Sequence, residues 1–232
     1  MKFGIIVFPG SNCDDDMVHV LGDVMGQEVV KLWHKETSLS GLGEGDCIVL
    51  PGGFSYGDYV RAGAIAQFSP LMRAVKDFAA RGGYVFGVCN GFQILCESGL
   101  LPGVLLRNAN QQFICDNVWL RPTTNNSPIT QGLDLKKALK IPIAHAEGRY
   151  YADNKTLDQL EQNDQVLFRY CTPEGKITAA ANPNGASRNI AGICNAQRNV
   201  FGMMPHPERA SEAVLGNEDG RGLFESLLNL VA

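Results

Sequence analysis

The chain has 232 residues, 45% hydrophobic and 19% charged, with a formal charge of -4, a balance that suits a soluble globular protein and excludes a disordered one. With no basic surface and no Lys/Arg cluster, nucleic acid is excluded as a partner. No apolar run approaches the roughly 20 residues of a membrane span, and the apolar part of MKFGIIVFPG is too short for a signal peptide before Asp14-Asp15-Asp16, so no membrane partner is expected.

No linker or composition shift divides the chain, so one domain over 1–232 is expected. The pattern predicts a strand over 3–8, then Pro9-Gly10 and a helix capped by Ser11 or Asn12. Asp14, Asp15 and Asp16 sit at the positive end of that helix, and Met17, Leu21, Val24 and Met25 form its buried stripe. Strands over 29–33 and 47–50 follow. Ser69-Pro70 opens a helix with Leu71, Met72, Val75, Phe78 and Ala79 on its apolar face, ended by Gly82-Gly83. Further strands are predicted at 84–88, 113–120, 139–144, 166–171, 177–181, 190–194 and 200–204, with a closing helix over about 219–230. Strands that are apolar throughout and alternate with helices argue for an α/β fold. Its mostly parallel central sheet is flanked by helices, with extra strands in the second half.

Seven cysteines, an odd number with no Cys-x-x-Cys pair, point to a reducing, cytoplasmic compartment. Six are read as small hydrophobes. The seventh, Cys89, stands in Gly87-Val88-Cys89-Asn90-Gly91, where an apolar strand gives way to the helical spacing of Phe92, Leu95 and Cys96. The chain must reverse there, and flanking glycines permit a tight, strained turn. A Gly-x-nucleophile-x-Gly turn projects its side chain above the sheet, and a helix N-terminus favours thiolate over thiol. The pentapeptide alone leaves a merely packed cysteine equally open, so a base decides.

Of four histidines, His19 lies on the exposed side of the first helix and His34, beside Lys35 and Glu36, is read as solvated. His206 ends an apolar strand between Pro205 and Pro207, which keep it extended. Glu208, two residues on, then points the same way and orients the imidazole. Pro51-Gly52-Gly53-Phe54 follows a strand and so lies at the same sheet edge as Cys89, its glycines letting backbone N–H groups approach a substrate. The Asn90 N–H is a second donor for an oxyanion. No Gly-Lys-Ser/Thr follows, so this is no P-loop.

Residues 87–93, 51–54 and 206–208 resemble the three signatures of the class I (triad) glutamine amidotransferases. Residues 52–63, 143–151 and 203–209 are similar to the glutaminase subunits of phosphoribosylformylglycinamidine synthases, a family of purine biosynthesis. The resemblance runs from Phe3 to the last helix and implies the class I amidotransferase fold.

It implies that Cys89 attacks the side-chain amide of glutamine, His206 passes the thiol proton to departing ammonia, and Glu208 orients His206. The N–H groups of Gly53 and Asn90 would form the oxyanion hole, and Gly52, Gln93, Asn110 and Phe113 would contact the substrate. The wider class often has glycine where this chain has Gln112. No metal or cofactor is expected in this chain. ATP and Mg are expected on a separate synthetase subunit that receives the ammonia, with a small accessory subunit as a further partner. His145, Glu147 and Arg149 either line the docking face or are a buried histidine and solvated charges. Rival readings are a glutaminase subunit of another synthetase, a cysteine-elbow hydrolase of similar fold, and an idle docking subunit.

Overall fold

The computed structural model describes residues 1–39 and 41–229. The chain opens with β1 (Lys2–Val7), buried from Phe3 to Ile6, and α1 (Asp14–His19), which widens into a π-turn over Val20–Val24. The N-cap of α1 is Cys13 and not Ser11 or Asn12. Ser11 instead accepts the Phe8 N–H on its hydroxyl at 3.1 Å, closing the loop between strand and helix. Met17, Val20 and Leu21 are the buried stripe, whereas Val24 and Met25 are only half-buried.

Then come β2 (Glu28–Trp33), β3 (Cys47–Leu50), α2 (Pro70–Ala80), β4 (Tyr84–Val88) and α3 (Asn90–Glu97). The predicted apolar face of α2, Leu71 through Ala79 at helical spacing, is buried in full. The second half adds β5 (Val104–Leu106), β6 (Ile114–Pro122), β7 (Leu139–His145), β8 (Arg149–Tyr151), α4 (Asn154–Gln162), β9 (Val166–Cys171), β10 (Ile190–Cys194), β11 (Val200–Met203) and α5 (Arg221–Leu228). Leu230, where the closing helix was expected to end, lies outside the described residues.

Among the described residues nine strands form one sheet in the order β2-β1-β3-β4-β11-β10-β9-β6-β7. The first five are parallel, and the extra strands of the second half extend the sheet antiparallel. Parallel strands carry their connecting loops at a common carboxyl edge, so the ends of β3, β4 and β11 meet there. Phe92 on α3 packs face to face with Tyr150, centroids 5.9 Å apart, and its ring lies where a Cβ on Gly202 would stand, 2.2 Å away. That close crossing seats α3 directly on β11. Burying an aromatic of this size stabilises by about 2–3 kcal/mol.

Two local readings give way to tertiary context. Residues 177–181 form no strand. Ile177 is exposed, the Thr178 hydroxyl accepts the Ala181 N–H at 3.3 Å, and Asn189 Nδ2 donates at 2.7 Å to the Thr178 carbonyl that a ladder would need. The helix α4 was missed because it buries only Leu157 and Leu160, too little apolar repeat to read. Its cap is Asp153, accepting the Thr156 N–H at 2.8 Å.

Candidate active site

Cys89 is the turn between β4 and α3, with φ 49° and ψ -105°, a strained conformation for a residue with a Cβ. It is held by its N–H donating to Met203 O at 2.8 Å and its carbonyl accepting the Gln93 N–H at 3.1 Å. The strain therefore sits on the cysteine and not on its neighbours: neither Gly87 nor Gly91 has a left-handed backbone. Those positions are glycine because the chain crosses itself closely. A Cβ at 91 would stand 1.9 Å from Leu50 O, and one at 87 would stand 2.7 Å from Gly91 O.

His206 leaves β11 with its N–H on Pro142 O at 2.8 Å. The chain then makes a single 3₁₀ turn over Pro207–Ala210 instead of staying extended. Glu208 comes back to the imidazole all the same, with Oε1 2.6 Å from Nδ1 and both side chains buried. Burial alone would push His206 down. The Glu208 carboxylate, then the Cys89 sulfur, outweigh it, and His206 is raised well above the ordinary histidine range. Its Nε2 is buried without a hydrogen bond, while the Cys89 thiol makes a long 3.8 Å contact to Ala144 O. Catalytic hydrogen bonds are often long or unmade before substrate binds.

Gly52 lies beneath the imidazole. A Cβ there would be 2.7 Å from His206 Cε1 and 3.0 Å from Cys13 Sγ. Cys13 accepts from Arg209 Nη2 at 3.1 Å, and Arg209 Nε donates to Asp16 at 3.0 Å. Cys13, His206 and Glu208 bring one sulfur, nitrogen and oxygen ligand atom within 4.8 Å of one another, the donor types zinc takes. His206 Nδ1 and Glu208 Oε1 are instead 2.6 Å from each other and Cys13 Sγ receives Arg209 Nη2, which is the geometry of a hydrogen-bonded dyad beside a partnered thiol.

Over Cys89 opens a cavity of about 200 Å³, bounded by Gly53, Phe54, Asp58, Gln93, Arg107 and residues 144–147. Asn90 sits under it at the start of α3. Its Oδ1 accepts the Ser55 N–H at 3.1 Å, and its Nδ2 donates to Gln93 Oε1 at 2.9 Å and Asp58 Oδ1 at 3.2 Å. Gln93 Nε2 donates to Glu147 O at 2.6 Å. The side chains of Asn90 and Gln93 are thus fixed before any ligand arrives. Chemically this is a thiol beside a buried imidazole that its carboxylate partner holds toward the protonated form, at the floor of a small polar cavity.

The family model of the CobB/CobQ-like glutamine amidotransferase domain matches residues 1–222. Phosphoribosylformylglycinamidine synthase subunit PurQ of Moorella thermoacetica is 59% identical over 229 residues, 99% of this chain and 96% of that protein. The PurQ subunit of Koribacter versatilis is 57% identical over 232 residues, 100% of this chain and 99% of its own. The chain belongs to the CobB/CobQ-like glutamine amidotransferase family, in its PurQ branch. The solved PurLQS of Thermotoga maritima contains a chain 40% identical with a TM-score of 0.87, covering 100% of this chain and 99% of that one. A glutamine amidotransferase of Thermotoga maritima, 14% identical with a TM-score of 0.62 over 99% of this chain and 96% of its own, shares the fold.

In this amidotransferase the structure gathers Cys89, His206, Glu208, Gly52, Gly53, Asn90 and Gln93 at the carboxyl edge of the sheet. Asn110 and Phe113 stand outside the cavity. Asn110 Oδ1 caps the Gln112 N–H at 3.0 Å within its own turn, and Phe113 is half exposed. The neighbour that matters is Asn108, fully buried. Its Oδ1 lies 3.1 Å from both His145 Nδ1 and the Gly148 N–H, and its Nδ2 donates at 2.8 Å to His145 O and Gln112 O. His145 is buried and pushed down to about 4 by burial first and His206 second. His34 is not solvated: it is buried, with Nδ1 2.6 Å from the Tyr56 hydroxyl. No spacing in the sequence links Cys13 to Arg209 or His34 to Tyr56. No described helix is long and apolar enough to cross a membrane.

Proposed function

We propose that this chain is the glutaminase subunit of a phosphoribosylformylglycinamidine synthase, cleaving glutamine to glutamate and ammonia for an ATP-dependent synthetase subunit. The observation that carries the reading is the Cys89 elbow meeting the buried His206–Glu208 pair above the sheet edge. Cys89 sulfur adds to the side-chain carbonyl carbon of glutamine, and the N–H groups of Gly53 and Asn90 take the resulting oxyanion. His206 gives the thiol proton to the departing nitrogen, releasing ammonia and leaving a glutamyl thioester. Water, deprotonated by His206, then splits that ester to glutamate and regenerates the thiol. Glu208 holds the ring in one tautomer and stabilises the imidazolium.

Ammonia freed into neutral water becomes ammonium, which has no lone pair to attack with, so an enclosed path to the partner is required. ATP and Mg belong to that synthetase partner, and this chain works without a cofactor of its own. Seven free cysteines accord with a cytoplasmic setting. Glutamate release by the chain mixed with its synthetase tests the reading. Release should be weak in the isolated chain, rise in the complex and vanish in Cys89→Ala. Full glutamine-dependent activity in a folded Cys89→Ala complex would refute the catalytic assignment.

A further inference from the structure

The cavity over Cys89 carries three charged side chains that the chemistry at sulfur does not use: Asp58, Arg107 and Glu147. Each is only partly engaged by the protein. Asp58 Oδ1 receives Asn90 Nδ2 at 3.2 Å, Glu147 Oε2 receives the Ala62 N–H at 3.2 Å, and Glu147 Oε1 stands 3.7 Å from Arg107 Nε. Two carboxylates therefore face one small, partly desolvated space. Burial first and the Glu147 charge second push the Asp58 carboxyl up to about 6, and the one guanidinium in the cavity wall, Arg107, stands nearer Glu147 at 3.7 Å. The loop that delivers Asp58 stores strain to do so, with Tyr56, Asp58 and Val60 all in the left-handed region at φ 54°, 53° and 72°.

Glutamine held with its amide on Cys89 carries a cation and an anion together at its far end. We infer that Asp58 and Glu147 select the substrate by its α-ammonium group while Arg107 pairs with its α-carboxylate. The inference rests on the glutaminase reading and deepens it: the anchors for the amino-acid end are these charges, in place of Asn110 and Phe113. A substrate with the amide but without the α-amino group brings no cation to the half-buried Asp58 and Glu147, and adds a carboxylate to a space that already holds two. The site should therefore discriminate against it, because a partly desolvated charge left without its partner costs more than a missing contact.

The test compares kcat/KM of the assembled complex for L-glutamine, for 4-carbamoylbutanoate, which lacks only the α-amino group, and for 4-aminobutanamide, which lacks only the carboxylate. The wild-type complex should prefer glutamine to both. Glu147→Gln and Asp58→Asn, each isosteric, should each cut the preference for glutamine over 4-carbamoylbutanoate by about 10- to 100-fold, chiefly through KM. Glu147→Asp should restore part of it, and Arg107→Gln should lower the preference over 4-aminobutanamide instead. Wild-type enzyme that uses 4-carbamoylbutanoate as well as glutamine would overturn the inference without any variant. So would folded, glutamate-releasing Glu147→Gln and Asp58→Asn that keep the wild-type ratio. Absence of glutamate release from the wild-type complex would instead sink the glutaminase reading beneath it.

Discussion

His206 Nδ1 stands 2.6 Å from Glu208 Oε1 with both side chains cut off from solvent. Burial pushes the imidazole down, and the Glu208 carboxylate followed by the Cys89 sulfur more than reverses it. The imidazolium therefore persists to higher pH than that of a free histidine, and the alkaline limb of the pH–rate profile reports its loss. Glu208→Gln keeps the shape and deletes the charge, so burial prevails. The alkaline limb should move to lower pH and kcat should fall by about 100- to 10,000-fold. Glutamate release by the variant complex between about pH 6 and 10 checks this, and a limb that stays in place would show that Glu208 does not set the charge of His206.

Gly91 touches the end of β3 so closely that a methyl group there would overlap the Leu50 carbonyl oxygen at 1.9 Å. Backbone cannot yield as a side-chain tip can, so Gly91→Ala should cost at least the roughly 1–3 kcal/mol of an overpacked core. It should also displace the Cys89 turn and depress glutaminase activity in the molecules that do fold. Gly99, left-handed at φ 76° with open space around its Cβ position, is the control. Gly99→Ala should cost about 1 kcal/mol and leave turnover intact. Urea midpoints with glutamate assays separate the two, and equal losses would contradict the crossing as the reason for Gly91.

The Cys89 elbow was legible because its signals are local: an apolar strand, two small residues around a cysteine, then helical spacing. The pairing of His206 with Glu208 was also legible, though it is made across a 3₁₀ turn and not along an extended strand. What the sequence hid depends on partners far along the chain. Asn108 and Asn110 share a polar turn, and only the carbonyl of His145 and the N–H of Gly148 decide that Asn108 goes inside. His34 sits beside Lys35 and Glu36, which disguise its contact with Tyr56. Residues 177–181 have strand propensity, but Asn189 takes the Thr178 carbonyl first. Of the later strands β6, β7, β9, β10 and β11 were legible one by one and the short β5 and β8 were not, while the antiparallel order left no mark on any single segment.

Asn108 satisfies four polar groups of two loops at once, and two of them belong to His145 in the cavity wall. Asn108→Ala leaves the His145 and Gly148 groups buried without this partner and should lower unfolding free energy by about 3 kcal/mol. Displacement of residues 145–147 should raise KM for glutamine as well. Asn110→Ala removes one local, exposed bond and should stay within about 0.5 kcal/mol of wild type. Denaturant titration of both variants decides it, and comparable losses would mean that the turn as a whole, not the Asn108 node, supports the cavity.

Asp58 binds its proton more tightly in the folded chain, at about 6, than in an unfolded one, at about 3.9. Burial and the facing Glu147 raise it, while the Asn90 hydrogen bond opposes them. A group raised in this way costs stability as pH climbs from about 4 to about 6, and the deficit persists above that window. Asp58→Asn cannot ionise, so it should be more stable than wild type near pH 7.5 and lose that advantage toward pH 4 (conditions of about these values bracket the window). The same variant should bind glutamine less well, the exchange of stability for function expected where two like charges await a cation. Thermal midpoints of both proteins at the two pH values measure the gain, and a gain independent of pH would show that the Asp58 charge is not its source.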